Sequence, residues 1–430
     1  MRGRIPSNLH YAWVVAGVVF ITLFGAAGFR STPGVLIVPL QDEFGWSRAT
    51  ISLAISVNLL LFGLMAPFAA ALMQRFGIRR VSVIALITIS IGVVLTTQMT
   101  QSWQMVLLWG VIVGIGTGMM TQVLAATVVN RWFVERRGMV LGVLTAASAT
   151  GQLLFLPLLA WITDAYSWRV VTIVVAAAAL SVIPIILIFM KEMPSDLGLE
   201  PYGAKPGQHF EPMGPPKDPV RAAFGVLRQA SASVDFWLLA GTFFICGAST
   251  NGLIGIHLIP AAVDHGMAEV TAASLLALVG IFDVIGTTAS GWLTDRWSPR
   301  KLLATYYALR GLSLLYLPIA LNQRNAGLVL FIVFYGLDWV ATVPPTVTLA
   351  SETFGRQNGP IVYGWVFTAH QFGAAFAAFA AGAVRTTFGD YLVAFVFAGG
   401  LCLAAAAMSM RIGRGEDRSS LLDPTPSLAD

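Results

Sequence analysis

Charged residues are scarce in this sequence: Asp, Glu, Lys and Arg make up only 11% of its 430 residues. Soluble domains contain about 25% charged residues, so an ordinary soluble protein is excluded. Hydrophobic residues make up 57% of the chain, and its mean hydropathy is +0.76. With ~20 residues per helix and short connections, the length allows about twelve membrane-spanning helices. The composition therefore predicts an all-α membrane protein.

Cysteine and histidine are also rare. The two cysteines, Cys246 and Cys402, lie in apolar runs, and the five histidines are scattered. This excludes a disulfide framework and a metal site, and it argues against an enzyme. The segment "GIGTG" (114–118) follows no strand, and there is no P-loop. We therefore expect no enzyme activity, cofactor, metal or nucleic-acid partner, and we expect an ion or solute gradient, rather than ATP, as the energy source.

Long apolar runs divide the chain into two groups of six. A polar stretch rich in Pro and Gly, 191–235, separates the groups and reads as a linker that ends in an amphipathic surface helix. We predict two six-helix bundles, 1–190 and 236–411, and a disordered tail, 412–430. The predicted spans are 11–39, 47–73, 80–99, 103–130, 138–163, 168–190, 236–262, 271–294, 301–322, 326–350, 360–384 and 389–411.

The distribution of positive charge predicts the orientation. Most Lys and Arg residues of the connecting segments fall on the side of both termini, whereas the opposite side has only Arg48, Arg169, Arg324 and Arg385. Because cytoplasmic loops are enriched in Lys and Arg, both termini are predicted to be cytoplasmic. The short basic N-terminus leads into a retained first span, and we expect a multi-pass protein of the cell inner membrane.

The two groups of spans repeat each other. "QRFGIRRVSVIAL" (74–86) follows span two as "DRWSPRKLLATYY" (295–307) follows span eight, and "RWFVERRGMVLGV" (131–143) precedes span five as "ETFGRQNGPIVYGW" (352–365) precedes span eleven. A parallel repeat of this kind predicts two similar bundles that face each other, with a binding site between them near the bilayer midplane.

These features resemble the major facilitator superfamily over nearly the whole chain. Within it, "YAWVV" (11–15), "GVLIVPLQDEFGWSRATIS" (34–52), "NRWFVERRGMVLGV" (130–143) and "PSDLGLEPYG" (194–203) resemble the monocarboxylate porter branch and its bacterial relatives. Glu135 stands where that branch usually has a basic residue. The resemblance implies twelve transmembrane helices in two pseudo-symmetric bundles.

The resemblance also implies a cytoplasmic latch in the loop after span two and its repeat after span eight. The second copy matches the family pattern better, because Ala71 and Gln74 replace the glycine and the aspartate of the first. This departure predicts a weaker first-half latch. The expected latch residues are Arg75, Arg79, Arg80, Asp295, Arg296 and Arg300, with Lys301 beside them.

An aspartate lies near the middle of span eight. Asp283 is about twelve residues, hence ~18 Å, into this span. The family resemblance implies that an aspartate here takes up the coupling proton and pairs with a cation on span one, for which Arg30 is the candidate. Arg30 is predicted to bind a substrate carboxylate, although it could instead extend to the outer interface. Thr287 stands where the family has an arginine.

Other polar residues fall inside predicted spans. Arg310 and Asp338 lie near the midplane of spans nine and ten, which predicts a structural ion pair, or else Asp338 as a second acid in the cavity. His257, His370, Asn251 and Tyr363 lie on spans that border the cavity in the family, so each is a candidate for substrate contact or for structure. Glycines such as Gly138 and Gly142 favour close helix packing, either static or sliding.

The sequence as a whole predicts a secondary active transporter. We expect a monomer that moves small organic anions of the monocarboxylate type, together with protons, by alternating access. The alternative is a major facilitator importer or exporter of a larger aromatic or heterocyclic solute, such as a vitamin or a drug. The missing arginine at Thr287 keeps this alternative open.

Overall fold

A computed structural model describes residues 10–46, 48–204, 218–323 and 326–413. Within these ranges some side chains on helices, including that of Arg30, are outside the description. Both predicted bundles consist of helices. The helices are α1 Tyr11–Phe44, α2 Arg48–Phe76, α3 Ile78–Thr96, α4 Ser102–Trp132, α5 Arg137–Ala165, α6 Trp168–Phe189, a linker helix Pro219–Ala230, α7 Val234–Asp264, α8 Glu269–Thr294, α9 Pro299–Gln323, α10 Ala326–Asp338 with 343–354, α11 356–388 and α12 Leu392–Ser409.

Ten segments of the described residues are long and apolar enough to cross a membrane. One of them, Gly327–Arg385, has 59 residues and contains both α10 and α11, which join at Gly355. Gly355 has a φ of 81°, a left-handed conformation that glycine adopts without steric cost. The helix α5 contributes a shorter apolar segment, Arg137–Ser148. The predicted all-α fold class is confirmed.

Three membrane helices are irregular. The helix α4 has a π-helical stretch, Val106–Val113, and α7 has another, Ala248–Ile254. The helix α10 is interrupted at 339–342, just before Pro344 and Pro345. Because proline has no amide hydrogen and clashes with the preceding turn, this pair favours an interruption. Such irregular backbone is stable at membrane depth only where other groups satisfy its hydrogen bonds.

One face of the bundle, which we call the linker side, carries the connection between α6 and α7. Glu192, just after α6, accepts hydrogen bonds from the amides of Ile78 (2.6 Å) and Arg79 (3.0 Å) at the start of α3. It also pairs with Arg131 at the end of α4, 3.4 Å away. A carboxylate at a helix N-terminus is favoured by the exposed amides and the helix dipole. Glu192 thereby fastens the start of the linker to the first bundle.

The structure refines two predicted boundaries. The first helix runs to Phe44, past the predicted end at residue 39, and stops where Gly45 adopts a φ of 67°. The amphipathic helix predicted at the end of the linker spans Pro219–Ala230, with Asp218 capping the amides of Val220 and Arg221. Of the predicted tail, residues 414–430 lie outside the described residues.

Candidate transport site and inter-bundle contacts

Asp283 is buried in the second bundle, with 1% of its surface exposed. Its Oδ1 accepts a hydrogen bond from the Thr287 hydroxyl at 2.7 Å and another from the Val340 amide at 2.9 Å. Thr287 lies one turn further along α8 and is fully buried. The residue at the family's arginine position is therefore a hydrogen-bond donor to the acid. The predicted contact between Asp283 and Arg30 stays a prediction, because the Arg30 side chain lies outside the described residues.

The structure brings Arg310 and Asp338 together. The Nε of Arg310 lies 2.6 Å from Oδ2 of Asp338, and the Arg310 side chain is fully buried. The same guanidinium donates to the carbonyls of Asp338 (2.6 Å) and Trp339 (3.2 Å) and to Sγ of Cys246 (2.9 Å). Removing a charge from water is costly, and only such dense hydrogen bonding offsets that cost. Arg310 therefore ties α9 to α10 and α7.

Buried side chains form hydrogen bonds with the backbone where α10 is interrupted. Its amide at Val340 donates to Asp283, and its carbonyl at Trp339 accepts from Arg310. A third backbone group, the carbonyl of Ala341, accepts from the Ser290 hydroxyl of α8 at 2.5 Å. Backbone groups freed by an interrupted helix need such partners in a membrane. The acids, the arginine and the interrupted helix thus form one unit, which we call the buried charge cluster: Asp283, Arg310 and Asp338.

The buried charge cluster contains one cation and two acids. Asp283 binds the amide of Val340, two residues after Asp338, and Asp338 pairs with Arg310. If both acids are ionised, the cluster carries a net charge of −1, and one proton makes it neutral. Because net charge is expensive in the membrane interior, the cluster provides a place where a proton can be held.

Five residues were predicted to bind substrate, and the four whose side chains the structure describes have different surroundings. His257 contacts the carbonyl of Ala378 (2.9 Å) and the hydroxyl of Tyr391 (3.3 Å), which joins α7 to α11 and α12. Asn251 is half-buried in the π-helical stretch of α7. Because π-helical turns are frequent at functional sites, this stretch supports Asn251 as a candidate functional residue. The periodicity of the sequence did not reveal the π-helical stretch.

Tyr363 and His370 lie together in an aromatic group on α11. The ring of His370 stacks on Phe367 with centroids 5.8 Å apart, and it lies 4.8 Å from Phe243 of α7. Tyr363 contacts the same two phenylalanines, at 6.3 and 5.9 Å. Its buried hydroxyl has no hydrogen-bond partner among the described residues. An unpaired buried hydroxyl is costly, so Tyr363 stays a candidate for contact with a polar atom of a solute.

One of the six predicted latch residues contacts the other bundle. Asp295 of the second bundle accepts hydrogen bonds from the amides of Gly138 (2.6 Å) and Met139 (2.8 Å) at the start of α5. The other five have different surroundings in the structure. Arg75 lies 6.0 Å from the ring of Phe76, the Arg79 amide donates to Glu192, Arg80 is exposed, Arg296 stacks on Trp292 at 4.0 Å, and Arg300 donates to the carbonyl of Ile412 at 3.2 Å.

Residues outside the predicted set complete the contacts on the linker side. Asn130, at the end of α4, donates to the Ser351 hydroxyl of α10 at 2.9 Å, and Arg137 donates to the Asn130 side chain. Arg356 donates to the carbonyls of Asn130 and Phe133. Asn130, Arg137 and Arg356 belong to the repeated segments "NRWFVERRG" (130–138) and "ETFGRQNG" (352–359), and Ser351 directly precedes the second. The internal repeat was therefore the signal that could have identified them.

Gln74 also contacts the other bundle. Its Nε2 lies 2.6 Å from the carbonyl of Gln357 at the start of α11. The replacement of an aspartate by Gln74 therefore leaves an uncharged hydrogen bond between the bundles, where the second copy has the charged contact of Asp295. A charge-assisted hydrogen bond is roughly twice as strong as a neutral one, which agrees with a weaker first-half latch.

Glycines bring helices of the two bundles into direct contact. A Cβ added to Gly142 of α5 would lie 2.8 Å from the carbonyl oxygen of Thr287 and from Cα of Gly291 in α8. A Cβ at Gly364 of α11 would lie 2.5 Å from Cα of Pro67 in α2. Small residues permit such close approach between membrane helices. The bundles therefore meet along α5–α8 and α2–α11, and Thr287 links the first contact to Asp283.

The sequence matches a known family over most of its length. The family model of the Major Facilitator Superfamily matches residues 19–378 and 258–426. The "Uncharacterized MFS-type transporter YcxA" of Bacillus subtilis is 26% identical over 382 residues, which cover 86% of this chain and 87% of that protein. The "Monocarboxylate transporter 12-B" of Danio rerio is 25% identical over 450 residues, which cover 97% and 92%.

Solved structures share the fold. The fucose:proton symporter of E. coli aligns with a TM-score of 0.71 at 17% identity, covering 94% of this chain and 99% of that one. The human organic anion transporter MFSD10 aligns with a TM-score of 0.72 at 15% identity, covering 94% and 100%. The two-bundle helical fold and the contacts between the bundles agree with these matches. Among the relatives, the chain resembles the monocarboxylate transporters. Because the family model matches most of the sequence, the chain belongs to the major facilitator superfamily, whose members are membrane transporters and not enzymes.

Proposed function

We propose that this protein is a secondary active transporter that moves small organic anions together with protons by alternating access. The observation that carries the proposal is Asp283, an acid buried near the middle of α8 beside an interrupted helix. An ionisable residue at such a depth costs at least about 2.5–3.5 kcal/mol, a cost that function explains well. The similarity to monocarboxylate transporters supports the anionic cargo.

The proposed coupling uses Asp283 as the proton carrier. The substrate carboxylate binds to Arg30 through a bidentate hydrogen bond, as arginine does with carboxylates. The proton on Asp283 cancels the net charge of the buried charge cluster. The substrate thus compensates the charge of Arg30, and the proton compensates the charge of the cluster. Residues 1–190 then rock against residues 236–411 and expose the site to the other side of the membrane. We place both termini on the cytoplasmic side of the inner membrane, and we propose that the monomer is the transporting unit.

A second candidate cargo is a larger aromatic or heterocyclic solute. The aromatic group around Tyr363 and His370 favours it, because stacked rings and an unpaired hydroxyl suit a ring-bearing ligand. Thr287 favours it as well, since it stands where the family has an arginine that could bind a carboxylate. The class of cargo and the coupling to protons require separate experiments.

Counterflow in proteoliposomes separates the cargo classes. Vesicles loaded with unlabelled lactate take up labelled lactate without any proton gradient, and competitors are added outside. We expect short 2-hydroxy and 2-oxo acids to compete at lower concentrations than aromatic acids or neutral heterocycles. Competition by the aromatic compounds alone would replace the proposed cargo by the second candidate. No exchange of any carboxylate would overturn the organic-anion function.

Arg30→Gln tests the proposed carboxylate contact. A hydrogen bond to a charged group contributes about 1.5–3 kcal/mol, so we expect KM for lactate to rise about tenfold to a hundredfold. The matched control is Arg385→Gln. Arg385 lies on the side opposite to the linker and pairs with Asp264 at 2.7 Å. This substitution should leave KM unchanged. Equal KM values for Arg30→Gln and the parent protein would contradict the assigned role.

A further inference from the structure

The linker helix contacts both bundles. The ring of Phe224 lies 5.5 Å from that of Phe68 in α2 and 5.6 Å from that of Trp365 in α11, between centroids. The rings of Phe68 and Trp365 lie 5.8 Å apart. These separations are in the range where aromatic rings attract each other. One residue of the linker therefore completes a three-ring cluster, which we call the aromatic bridge: Phe68, Phe224 and Trp365.

The linker helix is fastened to the second bundle. The indole Nε1 of Trp365 donates to the carbonyl of Ala223 at 3.1 Å. Only 231–233 separate the helix from α7, and the indole of Trp237 donates to the carbonyl of Ser231 at 2.8 Å. The aromatic contact with Phe68, in contrast, joins the linker helix to the first bundle. The two ends of the aromatic bridge thus belong to bodies that move apart in alternating access.

The linker helix does not fill the space that it covers. A cleft of about 370 Å³ lies between α2, the linker helix and α11, lined by Gln74, Gly225 and Gln357 among others. Phe224 itself is 51% exposed. A contact made by ring edges over an open cleft can separate without exposing a packed core. This distinguishes the aromatic bridge from the closely packed contact between Gly364 and Pro67 beneath it.

We propose that Phe224 is a positioning residue of the transport cycle: it stabilises the state in which the linker side is closed by bridging α2 and α11, and it parts from Phe68 when that side opens. This proposal rests on the alternating-access part of the proposed function and not on its cargo or its proton. Opening requires α2 and α11 to separate near the linker. Because the linker helix is fastened to α11, it moves with α11 and loses its contact with α2.

A buried reporter measures opening of the linker side. Thr294 at the end of α8 is 6% exposed, and its Cβ lies where α5 approaches, 2.9 Å from a Cβ added to Gly138. In Thr294→Cys, N-ethylmaleimide reaches the thiol only after the bundles part. When opening and closing are fast, the alkylation rate is proportional to the open fraction, even a small one. The native Cys246 and Cys402 are buried, and the protein without the reporter gives their background rate.

Removing the ring should raise the alkylation rate. For Phe224→Ala in the reporter background we expect an increase of about fivefold to tenfold, from the loss of its ring contact with Phe68. Phe224→Tyr keeps the ring and should restore the original rate. Phe68→Ala should raise the rate at least as much, because it removes the contact with Phe224 and also the contact with Trp365. The double variant should not exceed Phe68→Ala, because that substitution already removes the contact between Phe68 and Phe224. Trp365→Phe, which removes the hydrogen bond to Ala223, tests the other end should an alanine variant fail to fold.

The matched control is Phe379→Ala, a phenylalanine on α11 that is 79% exposed. It should leave the rate unchanged. A rate for Phe224→Ala within twofold of this control, or multiplicative effects of Phe68→Ala and Phe224→Ala, would overturn the proposal. The assay needs no cargo: an increased rate together with no carboxylate exchange would retain this inference and remove the organic-anion function.

Discussion

Arg310 makes four hydrogen bonds from a fully buried position, to Asp338, Trp339 and Cys246. Arg310 lies on α9 and its partners lie on α7 and α10, so a single side chain holds three helices in register. The sequence indicated that Arg310 and Asp338 lie at a similar depth. It could not indicate the carbonyl partners, because these become available only where α10 is interrupted.

Breaking this pair should destabilise the protein strongly. Asp338→Asn leaves the Arg310 charge buried without its counter-charge, and we expect a loss of about 3–5 kcal/mol in the free energy of unfolding. Asp264→Asn, in the exposed pair with Arg385, should cost at most about 1 kcal/mol. Thermal unfolding in detergent compares the two, and equal costs would contradict the structural role. Exchanging Arg310 and Asp338 should retain transport if the pair is structural.

A second ion pair, on the side opposite to the linker, is sensitive to pH. The Arg169 guanidinium, followed by the Trp168 indole, holds the pKa of the Glu43 carboxyl below its ordinary value. Arg169 lies 2.6 Å from Glu43, and both side chains are partly exposed. This pair joins the end of α1 to the start of α6.

Acid should weaken this pair. Because the folded-state pKa of Glu43 is lowered, its contribution to stability is complete above the ordinary pKa of glutamate and is lost as the pH falls through the lowered value. An exposed pair contributes about 0.2–1 kcal/mol, so the effect is small. We expect Glu43→Gln to reduce the unfolding temperature at neutral pH and to make no difference in strong acid. A difference that persists or grows in acid would contradict this assignment.

At the scale of helices, the contact between α5 and α8 determines how the bundles meet. Gly142 lies against Gly291 and the carbonyl of Thr287, and Thr287 donates its hydroxyl to Asp283. Asp283 is therefore one helical turn away from the interface between α5 and α8. The sequence indicated that Gly138 and Gly142 allow close packing, and the structure identifies α8 as the partner.

Gly142→Ala should favour the open state of the linker side. The added Cβ would lie 2.8 Å from backbone atoms of α8, which cannot move aside as a flexible side chain can. We expect alkylation of Thr294→Cys to accelerate about fivefold to a hundredfold, since overpacking costs about 1–3 kcal/mol. Gly400→Ala on α12 is the control, because its Cβ meets no atom within 4 Å. An unchanged or slower alkylation in Gly142→Ala would contradict this account of the interface.

Helix positions were easier to predict than helix irregularities. Apolar runs long enough to cross a membrane identify α3, α6 and α12 closely, because burial in lipid requires their composition. The π-helical stretches at 106–113 and 248–254 left no mark in the apolar pattern. The interruption of α10 had a signal in Pro344-Pro345, but its purpose became visible only with Asp283 and Arg310 around it.

At the scale of the whole molecule, the two bundles and the linker form a closed contact on the linker side. Asp295, Asn130, Arg356 and Gln74 each cross from one bundle to the other. The resemblance to the family pattern predicted the first of these, because Asp295 stands at the aspartate position of that motif. The others depend on which repeated segment faces which, and that arrangement arises only in the assembled fold.

The central claim is that Asp283 couples a proton to the movement of an organic anion. It is tested by labelled lactate uptake into proteoliposomes whose exterior is made more acidic than the interior. We predict that the parent protein and Asp264→Asn accumulate lactate, whereas Asp283→Asn exchanges lactate in counterflow but does not accumulate it. Accumulation by Asp283→Asn at the level of the parent protein would contradict the claim.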